Sequence, residues 1–315
     1  MLYLWQTLFP FFAVLFFMPF YIKLAMRAGF ADFPRDSRRM HARPVVTSSG
    51  ILFLFSLIPL FLCAKDKSQP VLYALALSSA MSAVGFADDR RAMPASLKLF
   101  FEAVCAFAAA FIMGFSGPLQ LIFAVTLVVF ITNAVNLTDG IDGLCSAESC
   151  VCLFALSLLG LPVLPLLGGL AAFAFFNRPP ARVFMGDCGS LFVGFFISVC
   201  FLGAVKDRGA ACIPFVLMTL AYPVTDTVFA FSRRLLSGQS PFAADKKHLH
   251  HRLVNSGLSV GASVNIIFLF SILFSACGIM FLSASTALGV LLLLSCLLFA
   301  VLAALAVMKH AARTQ

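Results

Sequence analysis

The sequence predicts an all-α fold, a polytopic membrane helix bundle with about eleven transmembrane helices, in one integral membrane domain covering residues 1–315. Of the 315 residues, 62% are hydrophobic and 11% are charged. A soluble domain has about 25% charged residues and under half apolar residues. Apolar runs near the length of about 20 residues that a membrane span requires recur along the whole chain. Besides composition and apolar runs, a third observation is that positive charge is concentrated in alternate segments between these runs.

The predicted spans are apolar runs, some of them shortened by Pro or Gly. They lie at roughly 2–25, 51–64, 70–87, 99–115, 119–136, 147–163, 165–177, 190–205, 211–231, 260–282 and 286–308. Only Gly160, Pro162 and Pro165 divide residues 147–177, so one long apolar stretch is the alternative there. No basic segment precedes the first run, which indicates a retained span rather than a cleaved signal peptide.

Positive charge is concentrated in alternate loops. One set comprises residues 26–50, 88–98, 137–146, 178–189, 232–259 and the tail from Lys309. With Lys23 counted at its edge, this set contains 18 of the 22 Lys and Arg residues. The positive-inside rule places these loops and the carboxyl terminus in the cytoplasm, and the amino terminus outside. Membrane orientation thus explains the net charge of +9, and no nucleic-acid partner is expected.

Most acidic residues also lie in or beside the predicted cytoplasmic loops, and only Asp66 and Asp207 lie opposite. A cation-coupled transporter, the rival function from a different class, needs polar groups through its midplane and on both faces. The one-sided distribution favours an enzyme. The ten Cys residues lie mostly in apolar runs without a CxxC pair, which is typical of small buried hydrophobic side chains.

The first motif reads Gly-Phe-Ala-Asp-Asp-Arg-Arg over residues 85–91, followed by Lys98. Asp88 and Asp89 are adjacent at the end of a predicted span. Two such carboxylates repel each other unless a cation lies between them. The repulsion raises the pKa of one of them or favours binding of a metal ion. A solvated loop with an ordinary acidic pair is the alternative.

The second motif, over residues 133–144, contains four polar side chains: Asn133, Asn136, Asp139 and Asp142. The two Asn share one helical face because they are three residues apart. Four polar groups at a membrane boundary are costly without a partner. A capped turn explains one Asn and one Asp, but hardly all four.

Two further motifs follow. In residues 176–190, Asp187 lies between Gly186 and Gly189 just before an apolar span, where a carboxylate for a metal and helix N–H groups for a phosphate come together. A connecting turn is the alternative.

Residues 245–252 contain three His among basic neighbours. No Cys accompanies them, so the cluster indicates an anion-binding patch rather than structural zinc.

Taken together, these strings resemble the polyprenyl-phosphate N-acetylhexosamine-1-phosphate transferases, glycosyltransferase family 4, WecA-like and related to MraY. The resemblance runs from about His41 to Arg252 and rests on NxxNxxDGIDGL, FNxPPAxxFMGDxGS and HxHHRL. It implies a Mg²⁺-dependent enzyme of the bacterial inner membrane, with Mn²⁺ as the alternative ion. Such enzymes move N-acetylhexosamine 1-phosphate from a UDP-sugar to undecaprenyl phosphate and release UMP, initiating a lipid-linked cell-surface glycan such as lipopolysaccharide O-antigen.

The resemblance also implies roles for single residues. Asp88 and Asp89 correspond to the family's acidic pair near the metal and the lipid phosphate, and Asp88 is the candidate base for that phosphate. Asp187 corresponds to the Mg²⁺ ligand, and Lys98 to a lysine near the phosphates.

The nucleotide-sugar site is implied in the same way. Asn133, Asn136, Asp139 and Asp142 resemble the nucleotide-side group, and Phe184 an aromatic side chain that stacks on uracil. His248, His250, His251 and Arg252 resemble the diphosphate-contacting cluster. Their HLHHRL string favours N-acetylglucosamine-type members, and the phospho-MurNAc-pentapeptide transferases of the same family are the alternative. A homodimer is left open. The signature of CDP-alcohol phosphotransferases is absent.

One departure lies in the first cytoplasmic loop. Family members commonly have Pro, a basic residue and Gly-Gly where this chain has Val46, Thr47 and Ser49-Gly50. A phosphate or lipid contact from the basic residue is therefore not expected here, and Arg43 is the candidate to replace it.

Overall fold

The computed structural model describes residues 2–32, 44–62, 70–240 and 248–283. It divides into two compact units, residues 1–204 and 205–315. The predicted last span, 286–308, lies outside the described residues, as do His41, Arg43 and Asp245. The prediction of one domain and of eleven spans remains a prediction.

The first unit is helical apart from one strand pair. Its elements, in chain order, are α1 (Leu2–Arg27), β1 (Ala31–Asp32), β2 (Val45–Val46), a 3₁₀ helix (Ser49–Ser56), α2 (Leu57–Leu62), α3 (Pro70–Ala76), α4 (Ser78–Arg90), α5 (Ala95–Ile112), α6 (Pro118–Leu137), α7 (Leu144–Leu158), α8 (Leu164–Asn177) and α9 (Gly186–Arg208), whose last turn belongs to the second unit. Helix α8 packs along α1 and beside α7, and α5 packs against α3 and α6. The two strands are antiparallel.

The second unit is built around one long helix. Its elements are a 3₁₀ turn (Ala210–Cys212), α10 (Ile213–Thr219), α11 (Ala221–Leu236), α12 (Leu249–Asn255) and α13 (Val260–Ser283). Helices α10, α11 and α12 all pack against α13.

The described helices confirm an all-α membrane protein. Five are long and apolar enough to cross a bilayer, and residues 210–219 with 221–236, a pair bent by 83°, would make a sixth. The five are Leu4–Arg27, Ala95–Ile112, Pro118–Leu137, Gly186–Arg208 and Val260–Leu282. Large apolar side chains such as Phe16 and Phe111 are exposed, and in a bilayer they contact lipid. The protein is therefore a multi-pass membrane protein.

Several predicted spans contain breaks that hydropathy does not indicate. The run at 51–64 starts as a 3₁₀ helix, and the run at 70–87 is two helices that meet at Leu77. Residues 147–177 form two helices, as the predicted division requires, because Gly160 adopts a positive φ of 78° and ends the preceding turn.

Helix α9 is the most enclosed of the described helices. Every residue from Cys188 to Ala204 is buried. A helix that is apolar on all sides has no polar face to present to water and belongs in an interior. This helix begins at the predicted Asp187 motif, so its packing fixes where that carboxylate lies.

Close packing of α1 on α8 depends on Gly168. A Cβ atom at this position would lie 2.1 Å from the backbone oxygen of Thr7, and backbone cannot yield as a flexible side chain does. We expect Gly168→Ala to lower the free energy of unfolding by about 1–3 kcal/mol, measured as a lower Tm in detergent.

The matched control is Gly261→Ala in α13, where an added Cβ meets nothing within 4 Å. Because Ala is a better helix former than Gly, this variant should be as stable as the parent or slightly more stable. Equal Tm values for the two variants would contradict the close-packing account.

Candidate active site

Two carboxylates from distant segments converge on one ammonium group in the first unit. Lys98, on α5, donates from Nζ to Asp88 Oδ2 at 2.8 Å and also to Asp187 Oδ2. Asp88 lies at the end of α4, and its Oδ1 accepts the Met93 backbone N–H at 2.6 Å. Asp187 starts α9. The structure thus brings together three of the residues that the sequence assigned to catalysis.

Asp89, the neighbour of Asp88, occupies a different position. Its Oδ1 accepts the backbone N–H of Asp187 at 2.9 Å, and its Oδ2 accepts the Cys188 N–H at 3.2 Å and the Ser48 hydroxyl at 2.7 Å. Successive residues on a helix point about 100° apart. The carboxylate of Asp89 therefore caps the amino end of α9, where backbone N–H groups have no partner within the helix.

Gly186 makes this cap possible. Its φ of 68° lies in the left-handed region, and a Cβ would lie 2.4 Å from Asp89 Oδ2. Any other residue would be strained and would also displace the carboxylate.

Protonation of the two adjacent carboxyl groups differs. Burial alone would raise the pKa of Asp88, but its hydrogen-bonded contacts with Asp187, Lys98 and the Met93 N–H hold that pKa below its ordinary value. Burial raises the pKa of Asp89, and the charge of Asp88 adds to this, although its three donors act in the opposite direction. Asp88 is thus the more acidic member of the pair.

The two asparagines of the second motif lie on α6 and face different partners. Asn136 Nδ2 donates to Asp187 Oδ1 at 3.2 Å and to Ser190 Oγ at 2.7 Å. Asn133 Nδ2 donates to the Val129 carbonyl at 2.9 Å and to Glu102 Oε2. Asn136 therefore orients the Asp187 carboxylate, whereas Asn133 joins α6 to α5.

The two aspartates of that motif also differ. Asp142 Oδ2 accepts the Ala181 backbone N–H at 2.8 Å and so ties down the loop before α9. Among the described residues, the half-buried Asp139 has no side-chain hydrogen bond. Burial, together with the charges of Asp187, Asp89 and Asp142, raises the pKa of Asp139. Among the described residues, the carboxyl groups of Asp88, Asp89, Asp142 and Asp187 accept hydrogen bonds from the protein, whereas that of Asp139 does not.

The loop that carries Phe184 is held by the atypical first loop. Phe184 N donates to the Val46 carbonyl at 2.7 Å, and its carbonyl accepts the Ser49 hydroxyl at 2.7 Å. Gly50 N donates to the Met185 carbonyl at 3.1 Å. Asn177, buried at the end of α8, donates to the Val183 carbonyl at 2.9 Å. The Phe184 ring is half-buried on a backbone that is fixed on both sides.

The histidine cluster lies in the second unit. His248 Nδ1 contacts Asp226 Oδ2 at 2.7 Å, and His250 Nδ1 contacts the Tyr222 hydroxyl at 2.7 Å. The rings of His248 and His250 are 5.5 Å apart and nearly parallel, and those of His250 and His251 are 4.4 Å apart. Burial, with His251 close by, lowers the pKa of His250 to about 3. Arg252 is exposed.

Two acidic residues that the sequence motifs left without a role belong to these networks. Glu102 is 1% exposed and contacts Asn133, and Asp226 is 6% exposed and contacts His248. An ionisable residue inside an apolar run is itself a signal. Glu102 also lies four residues after Lys98, on the same helical face.

Because Asp89 accepts three hydrogen bonds, its replacement should affect folding as well as activity. Asn keeps the shape but has one acceptor oxygen and places an NH₂ group against an N–H or O–H donor. We expect Asp89→Asn to lower the free energy of unfolding by about 1–3 kcal/mol, measured by thermal unfolding in detergent. Asp207→Asn, at the exposed end of α9, is the control and should change stability by under about 0.5 kcal/mol. A wild-type Tm for Asp89→Asn would contradict the capping role.

The chain is similar to known enzymes. Residues 71–204 match the model of glycosyl transferase family 4. A protein of Bacillus subtilis named probable undecaprenyl-phosphate N-acetylglucosaminyl 1-phosphate transferase is 29% identical over 311 residues, covering 91% of this chain and 87% of that protein. Two further relatives are named undecaprenyl-phosphate alpha-N-acetylglucosaminyl 1-phosphate transferase. The protein from Thermotoga maritima is 28% identical, covering 88% of this chain and 89% of that protein. The protein from Escherichia coli is 26% identical, covering 89% of this chain and 82% of that protein. The matched region contains the carboxylate cluster, and it is similar to glycosyl transferase family 4.

Proposed function

We propose that this protein transfers N-acetylhexosamine 1-phosphate from a UDP-sugar to undecaprenyl phosphate and releases UMP. The sugar proposed is N-acetylglucosamine, because the relatives from three organisms carry that sugar in their names. The product would initiate a lipid-linked cell-surface glycan. The observation that carries the proposal is the convergence of Asp88 and Asp187 on Lys98, at the start of a buried helix.

Charge is the main obstacle to this reaction, because both reactants are anions. A transferase must neutralise their phosphates and hold them in line. Lys98 supplies one positive charge between the two carboxylates. In the second unit, His248, His250, His251 and Arg252 supply further donors, which we propose contact the phosphates of the donor.

A divalent cation fits the donor set of the first unit. The described residues contain no group of three His, Cys, Asp or Glu side chains that could hold a metal by themselves. Mg²⁺, however, is commonly bound by one or two carboxylates, with waters and substrate phosphates completing the shell. Asp88 and Asp187 already hold one cation, the Lys98 ammonium, between them. We propose that they would also hold Mg²⁺, with Asp139 nearby, and that the ion would neutralise phosphate charge.

The reaction itself is a direct displacement. A lipid phosphate oxygen attacks the β-phosphorus of the UDP-sugar, the bond from that phosphorus to the oxygen of the α-phosphate breaks, and UMP leaves. Asp88 is the base proposed for the lipid phosphate, because its carboxylate contacts Lys98, which we propose neutralises phosphate charge. Asn136 holds the Asp187 carboxylate in place, and Asp89 holds the backbone from which it projects.

On the nucleotide side, Phe184 is proposed to stack on the uracil ring. The hydrogen bonds from the first loop support this role, because a ring on a fixed backbone loses little freedom when a base binds. Asn133 and Asp139 are proposed to contact the nucleotide. Asp142 would act on the same site indirectly, through Ala181.

The proposed orientation follows from positive charge. The loops 88–98, 137–146 and 178–189, which flank the carboxylate cluster, belong to the basic set, so the active site would face the cytoplasm of a bacterial inner membrane. The amino terminus would lie outside. At the cytoplasmic surface, a water-soluble donor would meet an acceptor whose tail stays in lipid.

The test is release of UMP by the purified protein in detergent, with UDP-N-acetylglucosamine, undecaprenyl phosphate and Mg²⁺. We expect UMP release that requires both the lipid phosphate and the metal. A panel with UDP-N-acetylgalactosamine and the UDP-MurNAc-pentapeptide identifies the sugar. If none of these donors yields UMP with the wild-type protein, the proposed function is wrong.

A further inference from the structure

The buried histidines of the second unit are each held at the same ring atom. Asp226 and Tyr222 lie four residues apart on α11, hence on one face of it. Asp226 contacts Nδ1 of His248, and Tyr222 contacts Nδ1 of His250, both at 2.7 Å. The second oxygen of Asp226 accepts the Leu249 backbone N–H at 2.8 Å, at the start of α12. One helix face thus sets the position of both rings.

The chemistry of the partners limits the state of each ring. An ionised carboxylate only accepts hydrogen bonds, so the hydrogen in the Asp226 contact belongs to His248 Nδ1. A tyrosine hydroxyl both donates and accepts. If it donates to His250 Nδ1, the hydrogen of that neutral ring lies on Nε2. In each ring, Nε2 is then the atom that remains for another partner.

A second observation indicates that a partner is missing. His250 is 1% exposed, and its Nε2 has no hydrogen-bond partner among the described residues. Buried polar atoms in proteins are nearly always paired, so an exception calls for a ligand or another explanation. His248 is 5% exposed, and its ring stacks on that of His250 with an interplanar angle of 7°.

We infer that Asp226 and Tyr222 are positioning residues that hold the Nε2 atoms of His248 and His250 toward a phosphate group of the nucleotide-sugar. This inference rests on the proposed function, because the anion is taken to be the donor diphosphate. His250 acts as a neutral hydrogen-bond donor. His248, whose Nδ1 holds a hydrogen toward Asp226, donates from Nε2 only when both ring nitrogens hold hydrogens.

The test uses two conservative variants of the full-length protein, Tyr222→Phe and Asp226→Asn. Tyr222→Phe removes one hydroxyl, and its matched control is Tyr73→Phe, on the exposed side of α3. Asp226→Asn has Asp207→Asn as its control. Loss of an orienting partner costs metal-bound histidines about 10–100-fold, and we expect a similar loss in affinity for UDP, measured by calorimetry without lipid acceptor, and in kcat/KM. Asp226→Glu should recover part of the loss.

A structural role alone would not change the hydrogen position on the rings. ¹⁵N NMR of histidine-labelled protein should therefore show Nδ1–H on His248 and Nε2–H on His250 in the wild type, and a changed tautomer or mixture in each variant. Wild-type spectra in both variants would overturn the inference, as would wild-type UDP affinity in both. If Asp226→Asn fails to fold, Tyr222→Phe decides alone. The spectra test the ring positions even if the protein turns over no UDP-sugar. A failure of the inference about Asp226 and Tyr222 can therefore be distinguished from a failure of the proposed function.

Discussion

Asp187→Asn is expected to lower the rate of sugar-phosphate transfer by about 10²–10³-fold or more. The side chain keeps its size, and its Oδ1 still accepts from Asn136, but the negative charge that faces Lys98 is lost. An amide is also a poor ligand for Mg²⁺ compared with a carboxylate. The measurement is UMP release at saturating donor and acceptor, with Mg²⁺ varied from micromolar to millimolar concentration.

Stability separates this effect from a folding defect. The Asp187 side chain does not cap α9, because Asp89 does, so Asp187→Asn should keep a Tm close to that of the wild type. Asp207→Asn, on the last turn of the same helix, should keep full activity. If Asp187→Asn retained wild-type turnover at every Mg²⁺ concentration, the carboxylate cluster would not be the reaction centre.

Lys98→Met should lower transfer by a similar factor, about 10²–10³-fold, for a different reason. The ammonium is the contact that joins Asp88 to Asp187, and without it the two carboxylates face each other with no cation between them. Their repulsion shifts one of them toward the protonated form, so part of the loss should be recovered at high Mg²⁺. Steady-state kinetics over a Mg²⁺ series measure this recovery.

Lys98→Arg tests the geometry of the same contact. Arg keeps the charge but is longer and planar, so it should recover only part of the activity. Lys23→Met, at an exposed position on α1, controls for the loss of one positive charge. Full activity of Lys98→Met would show that the lysine only stabilises the fold.

The sequence predicted which residues of the first unit lie in the motifs better than it predicted which contacts each of them makes. Asp88, Lys98 and Asp187 were assigned to catalysis through the resemblance to a known family, and the structure brings the three side chains together. Asp89 was grouped with Asp88 because the two are adjacent. Which of two neighbouring carboxylates faces a helix end depends on how α4 and α9 pack, and no local pattern contains that information.

Long-range pairs were equally hidden. Glu102 and Asn133 belong to different helices, and Asp226 lies on α11 whereas His248 directly precedes α12. Each pair forms only when the helices pack. Hydropathy predicted the five long apolar helices but missed the break at Leu77 and the 3₁₀ start at Ser49. Such breaks arise from neighbouring helices, which determine where a backbone can leave the α-helical path.

The first loop is the segment where this chain departs from the pattern of the family that it resembles, and two of the hydrogen bonds there do not involve side chains. The contact between residues 46 and 184, and that between residues 50 and 185, are made by main-chain atoms alone. A peptide carbonyl accepts a hydrogen bond whatever side chain its residue carries. The hydrogen bond that holds the backbone of Phe184 at residue 46 is therefore independent of the side chain at that position.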